Sequence, residues 1–562
     1  MKKIFNYIIA VVLLGGVYTS CETTDLDLRV SPNELSLDQS DPNLLLNSIQ
    51  LAYVSNMNRF NDLGAGATRV QYATGGGQDY FTTYPGTTMN AIWSRTYSSD
   101  FNDAGEDDDV GMWTNLDAIR TIDANNEDND YSFHIAMGET LLAHNLMLIV
   151  DYMGEAVFTQ AGNPTEFPAP MMDSGQDVYA SAMALLDSAE ALFNKGTGLL
   201  GGSDFFYGGS ASKWIKLINT IRLKAHVTTG NTAAFNAIVA GDNYISSSAD
   251  DMVWQYGSQV QNPDARHPYY AADYTPSGAN IYQPNWTMEY MLDSNDPRIR
   301  YYFYRQNSET PGAGTTEPDE ETLACSLVIP PPHYDGFTYC SVENGYWGRS
   351  HGNNEGAPPD NFLRTASGVY PAGGMFDDNS YANVGLGKGG AGAGIEPIIL
   401  ASYVDFWKGQ NAIAANAPMA EVAGHLQAGM EKSIAKVTSF GALDGNADKS
   451  FEPSDTDIEA FVTGVVADFN AASGDDAVNI FSEQYWIALY GGGAEAFNYY
   501  RKTGFPNNLP PHWEPNPGNF PRTFLYPSDE TITNPNLTQR TDLSTQVFWD
   551  TNPGGPAFPP SN

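Results

Sequence analysis

The chain has 562 residues, of which 42% are hydrophobic and 17% are charged. This is the balance of a globular protein, so a chain disordered throughout is excluded, and the length allows one large core or two fused cores. The 67 acidic residues outnumber the 27 basic ones and give a formal net charge of -40. Because such a charge repels a phosphate backbone, the composition argues against nucleic acid as a partner.

Residues 1–20 have the pattern of a signal peptide: two lysines precede an apolar run that is too short to span a bilayer. The run ends at Cys21, and the small Ser20 before it fits a relaxed lipobox, although Tyr18 stands where Leu is usual. We expect Cys21 to be acylated and to anchor the mature chain, with residues 21–40 as a tether. The alternative is a simple cleaved signal.

Residues 41–265 predict an N-terminal helical scaffold. Apolar residues recur there every three to four positions, and short or Gly-rich turns join the segments into antiparallel pairs. The spacing is compatible with tetratricopeptide-type stacking, although the strict consensus of that repeat is absent. The clearest helices are expected at 131–153, 176–194, 211–229 and about 233–243.

The helix at 211–229 carries four cations in twelve residues of this acidic chain. Ser210 is a natural N-cap and Gly230 a natural residue just past the helix end. We expect this helix to lie among acidic helices, which places it inside a helical array. Asn219, in the middle of its apolar stripe, needs a hydrogen-bond partner.

Residues 266–395 are rich in Pro, Gly, Asn and aromatic residues and lack the helical spacing of apolar residues. We expect a large loop-rich insertion there, and long loops of this kind are often functional. Cys325 and Cys340 lie in it and are predicted to form a disulfide. Helices are expected to resume at Glu396 as a C-terminal scaffold over 396–505, followed by an extended, Pro-rich segment over 506–562.

Three stretches resemble the SusD/RagB family of surface lipoproteins. The first is DFFYGG followed by KW and then N-x-x-R-L-K, over 204–224. The second is DYMGEAV at 151–157, close to the D-Y-F-G-x-V-P connector of the family but without its Pro. The third is the ending FNYYRKTGFP, where Phe497 replaces the usual Trp and Lys502 the second Arg.

The resemblance implies a mainly α, tetratricopeptide-like helical-repeat scaffold with a loop-rich insertion, lipid-anchored at the cell surface in the outer membrane. It also implies a non-enzymatic subunit that captures an oligosaccharide and serves as the lid of a SusC-like TonB-dependent transporter. The open alternatives are a lid that binds oligopeptides, a purely structural lid, and a surface hydrolase.

Aromatic rings suit sugars because a flat apolar face covers axial C–H groups while polar side chains bond the hydroxyls. We therefore expect the ligand site among aromatic residues in the Gly-rich loop and the insertion, with packing in the core as the alternative for each ring. These residues are Tyr80, Tyr84, Tyr282, Trp286, Tyr346 and Trp347.

Two other motifs point to different chemistry. Asp444, Asn446, Asp448 and Asp455 have part of the spacing of an EF-hand calcium loop, although Lys449 occupies the position of the usual Gly, and a solvated acidic linker is the alternative. No cofactor is expected beyond this possible structural calcium. The sequence GRSHG matches the G-x-S-x-G pattern of serine hydrolases around Ser350, but it lacks the preceding apolar strand that this mechanism needs.

Overall fold

We describe the protein from a computed structural model. It describes residues 40–72, 79–98, 111–126, 129–196, 203–309, 329–339, 342–353, 362–555 and 558–559. The described residues from Pro42 onward pack as one unit. Cys21, Cys325 and Cys340 lie outside the described residues, so the predicted lipid anchor and disulfide stay predictions.

The N-terminal part is an array of helices joined by connections of different lengths. It consists of α1 (Pro42–Ala67), α2 (Tyr80–Thr83), α3 (Asn90–Tyr97), α4 (Met112–Asn125), α5 (Ser132–Met153), α6 (Gly175–Lys195), α7 (Ala211–Thr229) and α8 (Thr232–Gly241). Helix α5 packs along α6, and α7 packs against α6 and α8. The predicted helices are thus found, with ends shifted by at most two residues.

Helix α5 lies at the centre of this array. It ends at Gly154, whose φ of 84° is the left-handed conformation that glycine adopts most easily. It is the one described helix long and apolar enough to cross a membrane, and every residue of it is buried inside the protein. Its hydrophobicity is therefore explained by the core.

The turn before α7 is organised by one carboxylate. Asp204 accepts hydrogen bonds from the backbone N–H groups of Phe206, Tyr207 and Gly209, and from the indole N–H of Trp214 at 2.9 Å. A single side chain thereby fixes both the turn and the first buried ring of the helix.

Three of the four cations of α7 pair with acids on neighbouring segments, as expected, and the fourth, Lys213, donates to the Ala249 carbonyl oxygen. Arg222 contacts Asp187 and Glu190 on α6, each at 2.6 Å, and Lys224 pairs with Glu495. Ser210 precedes the helix but makes no capping hydrogen bond, whereas Gly230 ends it with a φ of 77°. Asn219 donates to the Asn243 carbonyl oxygen at 2.9 Å, so its side-chain amide is satisfied.

The C-terminal part is a second group of helices: α12 (Ala401–Ala414), α13 (Met419–Ser439), α14 (Asp455–Ala471), α15 (Asp475–Ala488), α16 (Gly493–Thr503) and α17 (Ser528–Thr533). Helix α16 packs against α1, which joins the two ends of the chain in one core. The expectation of a helix from Glu396 is wrong, because residues 395–399 form a strand and α12 begins at Ala401.

Between the helical groups lie α9 (Pro268–Asp273), α10 (Asn285–Asp293), α11 (Ile299–Tyr302) and long irregular segments. Three short antiparallel pairs accompany them: β1 (Glu155–Ala156) with β2 (Asp173–Ser174), β3 (Met252–Gln255) with β6 (Ile395–Ile399), and β4 (Phe303–Tyr304) with β5 (Ala366–Ser367). The β3–β6 pair closes the insertion at its base, since the chain leaves the scaffold after β3 and returns along β6.

Candidate ligand-binding site

A cleft of about 610 Å³ lies between the insertion and the segment that precedes α14. We call it the large cleft. Its walls come from the end of α10, from α11, from the turns around Asn344 and Tyr381, and from residues 450–453. The residues with polar or aromatic side chains on these walls include Arg300, Arg305, Asn344, Tyr346, Asn379, Tyr381 and Phe451.

Four residues on the walls have a left-handed backbone. Asn295, Asn344 and Asn379 have φ values of 53°, 60° and 61°, and Tyr381 has a φ of 52°. Asn tolerates this conformation, whereas an L residue with a bulky side chain does so at a cost of roughly 1–2 kcal/mol. Strained backbone is retained where the surrounding structure requires it, and such positions cluster at functional sites. Tyr381 is the strained residue of the cleft.

Arg305 builds the floor of the large cleft. Its Nε donates to Asp377 Oδ2 at 2.6 Å, its Nη2 donates to Asp377 Oδ1 at 3.2 Å, and its Nη1 donates to the Asn344 carbonyl oxygen at 2.8 Å. The guanidinium carbon also lies 4.7 Å from the centroid of the Tyr346 ring and 5.3 Å from that of Tyr381. One cation therefore holds two turns and two rings in place.

Burial disfavours the charge of Arg305, but the Asp377 carboxylate outweighs it, so the pKa of Arg305 is raised above its ordinary value. Burial, assisted by Asp377, also raises the pKa of Tyr346. Tyr346 therefore stays neutral and directs its hydroxyl toward Asp377 Oδ2, 3.4 Å away. Near neutral pH, Arg305 is therefore charged and Tyr346 is neutral.

The more accessible polar group is Arg300. Its Nη1 donates to the Asp377 carbonyl oxygen at 2.8 Å and to Asn379 Oδ1 at 2.9 Å, and its side chain is 27% exposed. The guanidinium lies 5.2 Å from the centroid of the Phe451 ring, and Phe451 is 36% exposed. The rim thus offers an apolar ring beside a cation and an amide.

Of the six predicted aromatic residues, only Tyr346 lines the large cleft, and it is 3% exposed. Tyr80 and Tyr84 are buried under the C-terminal segment, where their rings contact His512 at 5.0 Å and Phe524 at 4.9 Å. The structure therefore gives these two tyrosines a packing role and places them apart from Tyr346.

Tyr282 and Trp286 are half-buried. The guanidinium carbons of Arg364 and Arg349 lie 3.9 and 4.5 Å from the centroid of the Tyr282 ring, so its face is occupied by cations. Trp286 stacks on Tyr290 with centroids 5.4 Å apart. Both rings already have protein partners.

Trp347 is 1% exposed and packs in a small cluster with Tyr339 and Leu363. The structure therefore does not bring the six predicted rings together in one platform. Four of them are buried, and of these four only Tyr346 borders the large cleft.

Three residues of the predicted calcium loop, Asp444, Asp448 and Asp455, have identifiable structural positions, and the calcium site stays a prediction. Asp444 is buried and accepts from the backbone N–H of Phe376 at 3.0 Å and of Asn446 at 3.3 Å. Asp448 caps a 3-10 turn at 449–451, and Asp455 is the first residue of α14. Among the described residues, no group of three or more His, Cys, Asp or Glu side chains is placed to hold a metal ion. The loop instead supplies Ser450 and Phe451 to the wall of the cleft.

The Ser350 motif does not have the geometry of a nucleophile elbow. Ser350 is 3% exposed, and in the described segment 342–353 it lies between an isolated bridge at Arg349 and a turn. A side chain at Gly352 would meet the His512 ring at 2.2 Å, so the glycine is explained by close packing. The hydrolase hypothesis gains no support here.

Sequence reasoning missed Arg300, Arg305, Tyr381 and Phe451. The signal for the two arginines was the segment RIRYYFYR, which places cations among aromatic residues in a strongly acidic chain. Tyr381 and Phe451 stand in segments without periodicity and 70 residues apart, so only the fold shows that they face the same cleft.

The comparisons with known proteins agree with this architecture. The family model SusD-like_2, described as "Starch-binding associating with outer membrane", matches residues 32–320. No curated protein matches the chain. Among solved structures, a chitin-binding protein is 18% identical with a TM-score of 0.60, and the match covers 91% of this chain and 100% of the other.

Two further structures show the same fold. A SusD/RagB family protein from Bacteroides thetaiotaomicron is 17% identical over 92% of this chain and 100% of its own, with a TM-score of 0.60. A SusD homolog from Bacteroides fragilis is also 17% identical, over 91% and 99%, with a TM-score of 0.60. The mainly α, tetratricopeptide-like fold is confirmed. Since the family model covers more than half of its residues, the chain belongs to the SusD-like family of outer-membrane-associated binding proteins.

Proposed function

We propose that this protein captures an oligosaccharide at the cell surface in the large cleft, without transforming it. The observation that carries the proposal is the cleft of about 610 Å³ in which the rings of Tyr381 and Phe451 stand beside Arg300 and Asn379. The family description as starch-binding and the name of the chitin-binding structure support a glycan as the ligand class.

The chemistry of the rim suits a sugar. The Phe451 ring offers an apolar surface for C–H groups, and the Arg300 guanidinium and the Asn379 amide offer hydrogen-bond partners for hydroxyls. Ligand sites of about 300–1,000 Å³ are usual for small molecules, so the cleft has room for more than one sugar unit. Preformed hydrogen bonds of Arg305 to Asp377 keep the floor rigid.

The proposal includes the place where the protein works. Residues 1–20 direct secretion, acylated Cys21 holds the chain in the outer membrane, and a SusC-like TonB-dependent transporter receives the ligand under this chain as its lid. The support is the lipobox-like sequence at Cys21 together with membership of an outer-membrane-associated family.

The test is calorimetric titration of the protein lacking residues 1–21 with panels of malto-oligosaccharides, chito-oligosaccharides and oligopeptides. The double variant Tyr381→Ala/Phe451→Ala removes both rings of the cleft. We expect saturable binding of one glycan class by the wild type and at least a tenfold weaker affinity in the double variant.

The matched control is Phe205→Ala, because Phe205 is 41% exposed, close to the 36% of Phe451, and stands in the turn before α7. This variant should bind like the wild type. Binding of peptides alone would favour the oligopeptide alternative. Turnover of the glycan would favour the hydrolase. A glycan affinity that is unchanged in the double variant would place the binding site outside the large cleft.

A further inference from the structure

A second cavity, of about 300 Å³, lies on the N-terminal scaffold. We call it the scaffold cavity. It is bounded by α3, α4, the segment 157–170 and α17, and it shares no lining residue with the large cleft. The scaffold cavity and the large cleft are therefore separate sites.

One wall of the scaffold cavity is aromatic. Trp93 and Tyr97 have ring centroids 4.5 Å apart, and Phe167 lines the opposite segment. Tyr97 in turn stacks near Trp113 with centroids 6.3 Å apart, so its ring is held from behind. Trp93 is 8% exposed, and the Tyr97 and Phe167 rings are half-buried. The wall is a rigid aromatic corner.

The other feature of the cavity is negative charge. Glu530 Oε2 accepts from the Trp93 indole N–H at 3.2 Å, and its Oε1 accepts from the Asn534 amide at 2.9 Å. Both donors are neutral, and each carboxylate oxygen has capacity for a further hydrogen bond. The charge of Glu530 is thus oriented but not neutralised by these partners.

A second carboxylate, Asp117, also lines the cavity. Its Oδ1 contacts Arg120 at 2.9 Å, but the same guanidinium also pairs with Glu139 at 2.8 Å. One cation therefore faces two carboxylates. Among the described residues that line the cavity, none is Lys, Arg or His.

Tyr97, which also lines the cavity, is affected by nearby negative charges. Burial raises the pKa of Tyr97, its hydrogen bond to the Val157 carbonyl oxygen lowers it, and the Asp173 and Glu530 carboxylates raise it further. The Asp173 and Glu530 carboxylates thus lie close enough to act on the Tyr97 hydroxyl.

We infer that the scaffold cavity binds a small protonated amine, with the ammonium group beside both the Glu530 carboxylate and the Trp93–Tyr97 corner. A cation is attracted both to a carboxylate and to the face of an aromatic ring, and the two attractions act together in a partly dry site. The volume is at the lower end of the usual range for ligand sites, so the ligand is of the size of one amino sugar. This site goes beyond the proposed capture of oligosaccharide and is independent of it.

The experiment is an NMR titration of the full mature chain with glucosamine, beside N-acetylglucosamine and glucose as neutral probes of similar size. We expect saturable binding of glucosamine and at least tenfold weaker binding of both neutral sugars. Equal binding of glucosamine and N-acetylglucosamine, or no binding of glucosamine, overturns the proposal.

The variant Glu530→Gln keeps the shape of the side chain and removes its charge, and Asp117→Asn does the same at the second carboxylate. We expect Glu530→Gln to weaken glucosamine binding at least tenfold and Asp117→Asn to weaken it less. Glu421→Gln removes one charge from an exposed position on α13 and should bind like the wild type. Glucosamine affinity unchanged in both cavity variants, with circular dichroism spectra like that of the wild type, also overturns the proposal.

Discussion

The helical scaffold and the large cleft are stabilised in different ways. In the scaffold, apolar stripes pack in one continuous core, and the cations of α7 reach acids on neighbouring helices. In the cleft, single buried ion pairs and left-handed turns hold the walls, as at Arg305 and Tyr381. The scaffold is built from many small, replaceable contacts, whereas the cleft depends on a few residues that cannot be exchanged freely.

The largest loss of stability is expected from a substitution where the insertion is fixed to the scaffold. Arg298 and Asp296 form an ion pair with both side chains 0% exposed, and Arg298 also donates to Ser433 on α13 and Gln484 on α15, each at 3.0 Å. Arg298→Ala leaves a buried carboxylate without its partner, which typically destabilises by about 3–5 kcal/mol. Chemical denaturation followed by circular dichroism measures this loss.

The matched control is Lys449→Ala, because the Lys449–Glu452 pair is 39% and 35% exposed. Surface pairs of this kind contribute about 0–1 kcal/mol. If both variants lost equally little stability, the insertion would not depend on the buried pair, and the contrast between the two regions would fail.

The second predicted effect is a change of stability with pH. It arises from Glu396, at the junction of α1 and β6. Burial raises the pKa of Glu396 to about 7, although the Asn61 and Asn58 amides donate to its carboxylate at 2.6 and 3.1 Å and lower it. Because the folded pKa lies above the ordinary value of 4.5, the folded state retains a proton that the unfolded chain loses. The stabilising contribution of this group is complete below pH 4.5 and is lost as the pH rises to about 7.

The variant Glu396→Gln cannot titrate, so wild type and variant should diverge over this window. We expect the wild type to lose stability relative to the variant by up to about 1.4 kcal/mol for each pH unit. Urea denaturation at several pH values between 4.5 and 8 measures the difference. A constant difference across that range would show that the pKa of Glu396 is not raised in the folded protein.

The scaffold could be predicted from the sequence because periodicity, caps and turns are local signals. The ends of α6 and α7 follow from the apolar spacing and from glycines such as Gly230. The error at Glu396 has a physical reason: Ile395, Ile398 and Ile399 favour a strand, and β3 is present to pair with them. Because the paired residues Gln255 and Ile395 are 140 positions apart in the sequence, no local pattern predicts that β3 and β6 pair.

The candidate site could be predicted only in part. The sequence placed it among aromatic residues of the insertion, and Tyr346 does line the cleft. It did not show that Trp347, next in the chain, turns into the core, because burial of a ring depends on the segments that cover it. Nor did it show that the acidic loop after Asp444 would bring Phe451 to the rim, since that contact is made in three dimensions.

We propose that the large cleft binds glycan and that the Tyr381 ring takes part in this binding. Tyr381→Asn tests it most directly, because Asn accepts a φ of 52° more easily than Tyr while the ring is removed. The relieved strain offsets the lost contact with Arg305, so we expect the free energy of unfolding to stay within about 1 kcal/mol of the wild type.

The measurement is calorimetric titration of this variant with the glycan that binds the wild type most tightly, beside urea denaturation of both proteins. We expect the dissociation constant to rise at least tenfold while the free energy of unfolding stays nearly unchanged. An unchanged dissociation constant, or an affinity lost only together with stability, would contradict it.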